Sequence, residues 1–494
     1  MCKLQLGADA PHIGDMLQAK EPTCREERVE FGRIHYDMKV WMFAFTPCDE
    51  HYIVQRKPAR TLVDAGYDVS IIAVLGKDMP AYEESDGFRI FRVSVDPSHL
   101  KVLFKVLRLA GLAKGRIQGV LGRRHGVSVT KPFDTGEEGQ ASGGHSPLGW
   151  QRSAVYRALR SLFGKIYGIS IGHRYWCYLQ YYYRSYLLAG REPADLYHAH
   201  DLPTLPVAWI CSRRSGGKVI YDSHELWLDV RYPPRSKLSL FLVKRIESFL
   251  VRRTDANIMG GLSSSNELSR RYSIPAPTVI LNVPDYQPFE YSTVLRDKLG
   301  IPKEQRIMLY MGVISSHKGI EEGIRSLKYL SGCCLVIFGF GHEGYIAGLK
   351  ELIQDEDLGK RVFFFPAVPF DEVTRHAMSA DVGLVLHQNI NLNYYYVSPN
   401  KLFESMVAGL PVVGSNFPDL KTFIEGYRFG ATCDPTSPKE IASAVDYILS
   451  DRSRYEEMRQ NALEAAKIFN WENESKKLLA LYEGLGPPAA NRLG

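Results

Sequence analysis

Short apolar runs alternate with amphipathic stretches along most of this chain. Met38-Lys-Val-Trp-Met-Phe-Ala-Phe45 is the first run dense enough for a buried strand. A helical stretch from Thr61 to Ala65 stops at Gly66, Val69 to Val74 reads as the second strand, and Phe88 to Val95 as the third. This strand–helix–strand opening predicts a doubly wound parallel sheet. Strands are expected again at Asp195–His200, Lys218–Tyr221 and Ala256–Met259, and Val279–Leu281 closes the first set. Pro284 to Pro302 reads as a linker. A second alternating set follows, with strands near Ile307–Met311, Cys334–Phe338, Val362–Phe365, Val382–Leu386 and Val412–Val413, and a last helical stretch at Glu472–Tyr482.

The pattern predicts two successive α/β domains of doubly wound, Rossmann-like type with a cleft between them. The expected division is a poorly ordered extension over 1–37, a first domain over 38–286 with an insertion at 99–190, a second domain over 296–470, and a C-terminal helix over 471–487. The apolar periodicity starts only at Met38, which makes that residue a candidate for the true start of the chain.

A length of 494 residues exceeds what one hydrophobic core holds and agrees with two domains. With 45% hydrophobic and 23% charged residues the chain has the composition of a soluble globular protein. No apolar run approaches the roughly 20 residues of a membrane span. The first residues carry acids and prolines instead of a basic start and an apolar stretch, so no secretory leader is expected. The eight cysteines are scattered with no C-x-x-C spacing, which points to reduced thiols in a cytoplasmic protein.

The formal net charge of +6 conceals an asymmetry. Between Lys101 and Arg184 fourteen basic residues face three acids, Asp134, Glu137 and Glu138. An anionic partner surface is implied. Leu100 to Leu109 spaces Lys101, Lys105 and Arg108 against Leu103, Phe104 and Leu107 at helical intervals, as a membrane-surface helix does, and equally as a solvated helix packed on its own domain does. No nucleic-acid module is recognisable, so the inner face of an anionic membrane is the expected partner of 101–184, with the protein peripherally attached.

The most informative stretch is Ser398-Pro-Asn-Lys-Leu-Phe-Glu-Ser-Met-Val-Ala-Gly-Leu-Pro-Val-Val413. It predicts a helix from about Lys401 to Ala408, a stop at Gly409 and a buried strand from Val412. A helix start behind Pro399-Asn400 offers free N–H groups and a positive dipole end to an anion. Lys401 adds a full charge there, and Glu404 is placed to accept two hydroxyl hydrogen bonds from a ribose diol. The segment resembles the donor-binding signature of family 4 glycosyltransferases, retaining enzymes of the GT-B fold. Glu404 and Ala408-Gly-Leu-Pro-Val412 match that signature, whereas the position of its first Glu holds Tyr396.

Tyr310-Met-Gly-Val-Ile-Ser-Ser-His-Lys-Gly319 resembles the family element in which Arg and Lys grip the donor pyrophosphate. Gly312, Lys318 and Gly319 fit it; Val313 stands where the Arg is usual, which shifts the expected burden onto Lys318 and Lys401. Phe338-Gly-Phe-Gly-His-Glu343 is a second glycine turn, explained equally by tight packing and by ligand approach. Phe364 to Pro369 resembles the loop that reads the base. Tyr221-Asp-Ser-His-Glu225 matches in position the family's cleft histidine, which makes His224 the catalytic candidate beside the donor sugar. His200 and Asp201, at the end of an expected strand, are placed to face the acceptor.

The resemblance implies a transferase that moves a sugar from a nucleoside-diphosphate donor to a glycan or lipid-linked acceptor, with retention. Neither a metal nor a cofactor is expected. Two other readings stay open: an epimerase acting on the nucleotide sugar alone, and a silent nucleotide-binding subunit, for which Tyr396 and Val313 speak.

Overall fold

The computed structural model describes residues 38–46, 53–95, 176–229 and 237–486. The extension 1–37 lies outside them, as do the stretch Leu100–Leu109, expected to meet a membrane surface, and all of the insertion before Trp176.

The first sheet has eight strands: β1 Lys39–Phe43, β2 Asp68–Val74, β3 Tyr82–Ser85, β4 Phe88–Val93, β5 Leu196–His200, β6 Lys218–Ser223, β7 Ala256–Met259 and β8 Thr278–Val279. Their order is β3-β4-β2-β1-β5-β6-β7-β8, and every pair is parallel except β3–β4. The second sheet has six: β9 Arg306–Ile314, β10 Cys333–Gly341, β11 Val362–Pro366, β12 Val382–Val385, β13 Val412–Ser415 and β14 Gly430–Cys433. It is fully parallel in the order β11-β10-β9-β12-β13-β14. Both sheets therefore grow outward from a central pair, β1/β5 and β9/β12. At such a reversal the flanking helices leave on opposite faces and open a crevice at the carboxyl ends of the strands.

The central strands read as unbroken apolar runs because helices cover both of their faces. In β10 every residue from Cys333 to Phe338 is buried. Toward the edge the pattern differs: β4 alternates buried and half-buried positions, and the edge strand β3 is polar and half exposed. This hairpin is missing from the sequence expectation because Tyr-Glu-Glu-Ser offers no apolar period.

The expected linker Pro284–Pro302 is not structureless. It contains the helix Val294–Leu299, capped by Gly300 at positive φ, and Leu295 is fully buried beside Met311 and Ala377. Six residues are too few for helical periodicity to show in the sequence.

The C-terminal helix Trp471–Leu485 crosses back onto the first domain. Trp471 Nε1 donates to Thr61 Oγ1 at 3.0 Å, the Lys218 ammonium donates to the Leu485 carbonyl, and Leu478 and Tyr482 fill a core shared with Met42, Leu62 and Ile71. Two further points of contact join the domains directly. Leu226 N–H donates to Asn393 Oδ1 at 2.7 Å while Asn393 Nδ2 donates to the Leu226 carbonyl at 3.2 Å. Asp419 accepts from the Ser263 N–H at 3.1 Å, at the start of the helix Leu262–Tyr272, and from Ser398 Oγ at 3.0 Å.

Candidate active site

The second domain contributes the ends of β9 and β12 and the helix Asn400–Val407. That helix starts where the sequence places it and ends at Gly409, whose left-handed φ of 62° favours glycine. Lys401 is buried in its first turn, with Nζ 3.8 Å from the centre of the Tyr310 ring. Gly312, at φ 112°, lies opposite: a Cβ there would stand 4.0 Å from Lys401 Nζ, so the bare glycine opens the space in front of the ammonium. Lys318 Nζ sits 3.1 Å from His387 Nε2 and 4.6 Å from the centre of the Tyr394 ring.

Among the described residues neither lysine has a carboxylate within ion-pair distance. Burial pushes the Lys318 ammonium down to about 8, partly offset by Glu225. Burial, and then the charge of Lys318, hold Lys401 well below the ordinary lysine range, against the pull of Glu404. Two cations kept this close in a low-dielectric pocket are costly unless an anion joins them. Glu404, half buried one turn along, has its carboxyl pushed up to about 7 by burial, with Lys401 and Lys57 opposing.

His387 is a residue that the sequence reading missed. Buried at the end of β12, it is kept neutral by burial and by the adjacent Lys318 and Lys401, and its Nδ1 has no partner among the described residues. Its strand was legible, but a lone histidine in Leu-His-Gln carries no spacing signal. The glycine turns also resolve. A Cβ on Gly339 would fall 1.9 Å from the Gly312 carbonyl oxygen, and one on Gly319 would fall 2.5 Å from the Leu386 carbonyl oxygen. These two glycines allow backbones to touch, whereas a Cβ on Gly312 would meet only the end of the Lys401 side chain. Asn400, the first residue of its helix, is exposed.

The first domain brings His198, His200, Asp222 and His224 together at the ends of β5 and β6. Asp222 Oδ2 lies 3.3 Å from His198 Nε2, 3.2 Å from His200 Nδ1 and 3.7 Å from His224 Nε2. His200 Nδ1 is 3.1 Å from His224 Nε2, and Tyr482 of the C-terminal helix meets His198 Nδ1 at 2.6 Å. Burial would raise the Asp222 carboxyl, but the three imidazoles outweigh it and hold it well below the ordinary range. Burial and His198 push His200 down to about 3, so it is neutral. His224 responds oppositely: burial lowers it, while Asp222, Asp201 and Glu225 together raise it above its ordinary value. Asp201, at φ 62°, accepts from the His224 N–H at 3.0 Å and so anchors that loop. It fixes His224 in place; burial raises its carboxyl above the ordinary range.

Donor atoms of His198, His200 and Asp222 lie within 4.8 Å of one another. His198 is engaged on both ring nitrogens by Tyr482 and Asp222, so the carboxylate already binds the cluster together without an ion.

Two doubly wound domains, joined by a returning C-terminal helix and meeting at a histidine cluster on one side and buried lysines on the other, define a glycosyltransferase of the GT-B fold. A family model described as "Glycosyl transferase 4-like domain" matches residues 54–281, and one described as "Glycosyl transferases group 1" matches 292–465. The chain belongs to the family 4 glycosyltransferases. It is 24% identical to D-inositol 3-phosphate glycosyltransferase of Nocardioides sp. over 58% of this chain and 67% of that one, and it spans about two thirds of the length of such curated relatives. In structure it is similar to sucrose-phosphate synthase from Thermosynechococcus elongatus (TM-score 0.65, 17% identity, 91% of this chain and 99% of that one). It is also similar to Anabaena HepE in complex with UDP-glucose (TM-score 0.61, 13% identity, 90% of this chain and 100% of that one).

Proposed function

We propose that this glycosyltransferase carries a sugar from a nucleoside diphosphate to a lipid-linked glycan in bacterial surface-polysaccharide synthesis, with retention of configuration. The observation that carries the donor half is the pair of buried lysines, Lys318 against His387 and Tyr394 and Lys401 over Tyr310 in the field of Lys318, with no carboxylate within ion-pair distance among the described residues. A diphosphate supplies the missing negative charge, and the same contacts strengthen as the sugar–phosphate bond breaks and charge collects on the leaving oxygen. Glu404 takes the ribose hydroxyls, and Gly312 leaves the approach open. HepE, bound to UDP-glucose in its solved structure, supports a nucleotide-sugar donor of this kind.

On the opposite wall, His224 lies beside the donor sugar, and His200 and Asp201 belong to the acceptor side. Of the carboxylates that act on His224, Asp222 is engaged by three imidazoles and Asp201 by the His224 backbone, and the third, Glu225, lies in the field of Lys318. A same-face attack assisted by the departing phosphate, which the family resemblance implies, leads to retention.

Calorimetry with UDP, GDP and dTDP, followed by incubation of the purified chain with the matching nucleotide sugars and a lipid-linked acceptor, tests the reading. Transfer with retained anomeric configuration is expected. A new sugar nucleotide formed from donor alone would establish the epimerase, and tight nucleotide binding with neither transfer nor hydrolysis would establish the silent subunit.

A further inference from the structure

The first domain carries an apolar surface that neither the donor nor the acceptor reading uses. The helix Lys237–Val251 is exposed at Leu238 (68%), Leu240, Phe241 (58%), Leu242 (50%), Ile246 and Phe249. Its buried side is supplied by Leu250, Val251 and Glu247, whose carboxylate accepts from the Tyr272 hydroxyl at 2.6 Å. The apolar face continues onto the helix Leu205–Ser215, where Ile210 is exposed, and an open cavity of about 310 Å³ runs between Trp209, Ile210, Ile246 and Phe249. Scattered apolar side chains are normal on a protein surface; six on one 15-residue helix, continuous with a second helix, are not.

The rim of this face is cationic. Lys244, Arg245 and Arg253 are exposed, Arg253 lies 3.7 Å over the Phe249 ring, and Arg213 lies 5.6 Å over Trp209. The two helices contain a single acid between them, Glu247, and it is buried. Guanidinium groups folded over aromatic rings at the border of an apolar field suit the boundary between lipid headgroups and acyl chains, where the charge meets phosphate and the ring meets hydrocarbon.

Topology gives the face its direction. In a βαβ unit each helix starts at the edge where the preceding strand ends. The helices 205–215 and 237–251 follow β5 and β6, so their first turns share the sheet edge that carries His200 and His224. Leu238 to Leu242, the most exposed part, therefore lies toward the cleft.

We infer that the helix Lys237–Val251, with the adjoining face of Leu205–Ser215, is a docking surface for an anionic lipid bilayer. This rests on the lipid-linked acceptor reading in one respect only: it supplies the plane from which such an acceptor reaches the cleft. It differs from the basic stretch 101–184 in being an apolar contact rimmed by charge. The helix lies in the interface and does not span; among the described residues no helix is long and apolar enough to cross a membrane.

The test uses the full chain with vesicles rich in phosphatidylglycerol, and with pure phosphatidylcholine as the neutral control. Wild-type protein is expected to sediment with the anionic vesicles and to leave the neutral ones. The triple variant Leu238→Ser, Phe241→Ser, Leu242→Ser, all at exposed positions, is expected to bind at least about tenfold more weakly, with unchanged UDP affinity by calorimetry. Lys244→Glu with Arg245→Glu is expected to remove the preference for anionic lipid. Amide exchange of the wild-type chain gives a reading free of any variant: slowing over 237–243 on vesicle addition is expected. The inference is overturned if the triple variant sediments like wild type, if exchange is unchanged there, or if Lys101→Glu, Lys105→Glu, Arg108→Glu alone abolishes attachment. A triple variant that changes oligomeric state with no loss of vesicle binding would give the face to a second copy instead. Failure of UDP to bind wild type at all would count against the donor site and leave this surface standing.

Discussion

If Lys318 and Lys401 await a diphosphate, nucleotide binding must be coupled to protons. The free Lys318 ammonium titrates near 8 instead of 10.5 because burial disfavours its charge. A bound diphosphate lying against it restores the charged form. At about 1.36 kcal/mol per pH unit the interval between 8 and 10.5 is worth at most about 3.4 kcal/mol of affinity. Lys318 itself should add no pH dependence well below 8. At pH 9 only about a tenth of the free protein carries the proton, so affinity should fall about tenfold relative to pH 7, with close to one proton taken up per ligand. Lys401, displaced in the same direction, steepens the fall. Calorimetry with UDP in buffers of different ionisation enthalpy measures both quantities. Lys318→Arg, whose guanidinium stays charged, should flatten the profile and so corrects for titration of the nucleotide itself. The linkage also has a stability side. Between about 8 and 10.5 the unfolded lysine binds a proton that the folded one does not, so this group makes the ligand-free protein more stable as pH rises through that window. Equal UDP affinity at pH 7 and 9 with no proton uptake, or a Lys318→Arg profile as steep as wild type, would refute the reasoning.

Three further outcomes are expected. Glu404→Ala should weaken UDP binding by about 1.5–3 kcal/mol, and the loss should vanish with a 2′,3′-dideoxyribose analogue that lacks both hydroxyls; an equal loss with both sugars would remove Glu404 from the ribose. His224→Ala should lower turnover far more than UDP affinity, because its proposed neighbour is the sugar and not the phosphate, and steady-state kinetics beside calorimetry separates the two. Asp381 accepts from Arg296 at 2.6 Å, Arg306 at 2.8 Å and the Ile307 N–H at 2.8 Å, so Asp381→Ala strands the buried Arg296 and should cost about 3–5 kcal/mol in urea unfolding; a loss below about 1 kcal/mol would show that water or another group replaces it.

The strands that organise both domains were legible because parallel strands covered on both faces are continuous apolar runs, such as Cys333 to Phe338. The donor helix was legible for a different reason, its Pro-Asn start and Gly stop. What escaped the sequence was local or long-range. The hairpin strand Tyr82–Ser85 has no apolar face, and the helix Val294–Leu299 is shorter than two turns. His387 acquires its meaning only from Lys318, 69 residues away, and His198 from Tyr482, 284 residues away. Tyr396, noted as standing where the family signature has Glu, packs against the first domain's core. Contacts of that kind leave no periodicity to read.

The bond between Tyr482 and His198 has a consequence for how the protein is made. Chains emerge from the ribosome first residue first, and domains ordinarily fold in that order. Here the first domain cannot finish alone: its core awaits Leu478 and Tyr482, and the histidine cluster awaits the Tyr482 hydroxyl. For most of synthesis the nascent first domain has its sheet but not its last wall, and the groove that the final helix will fill is open. Completion of the histidine cluster thus reports that translation has reached the C-terminal helix, and a chain released early would carry folded strands around an unfinished cluster.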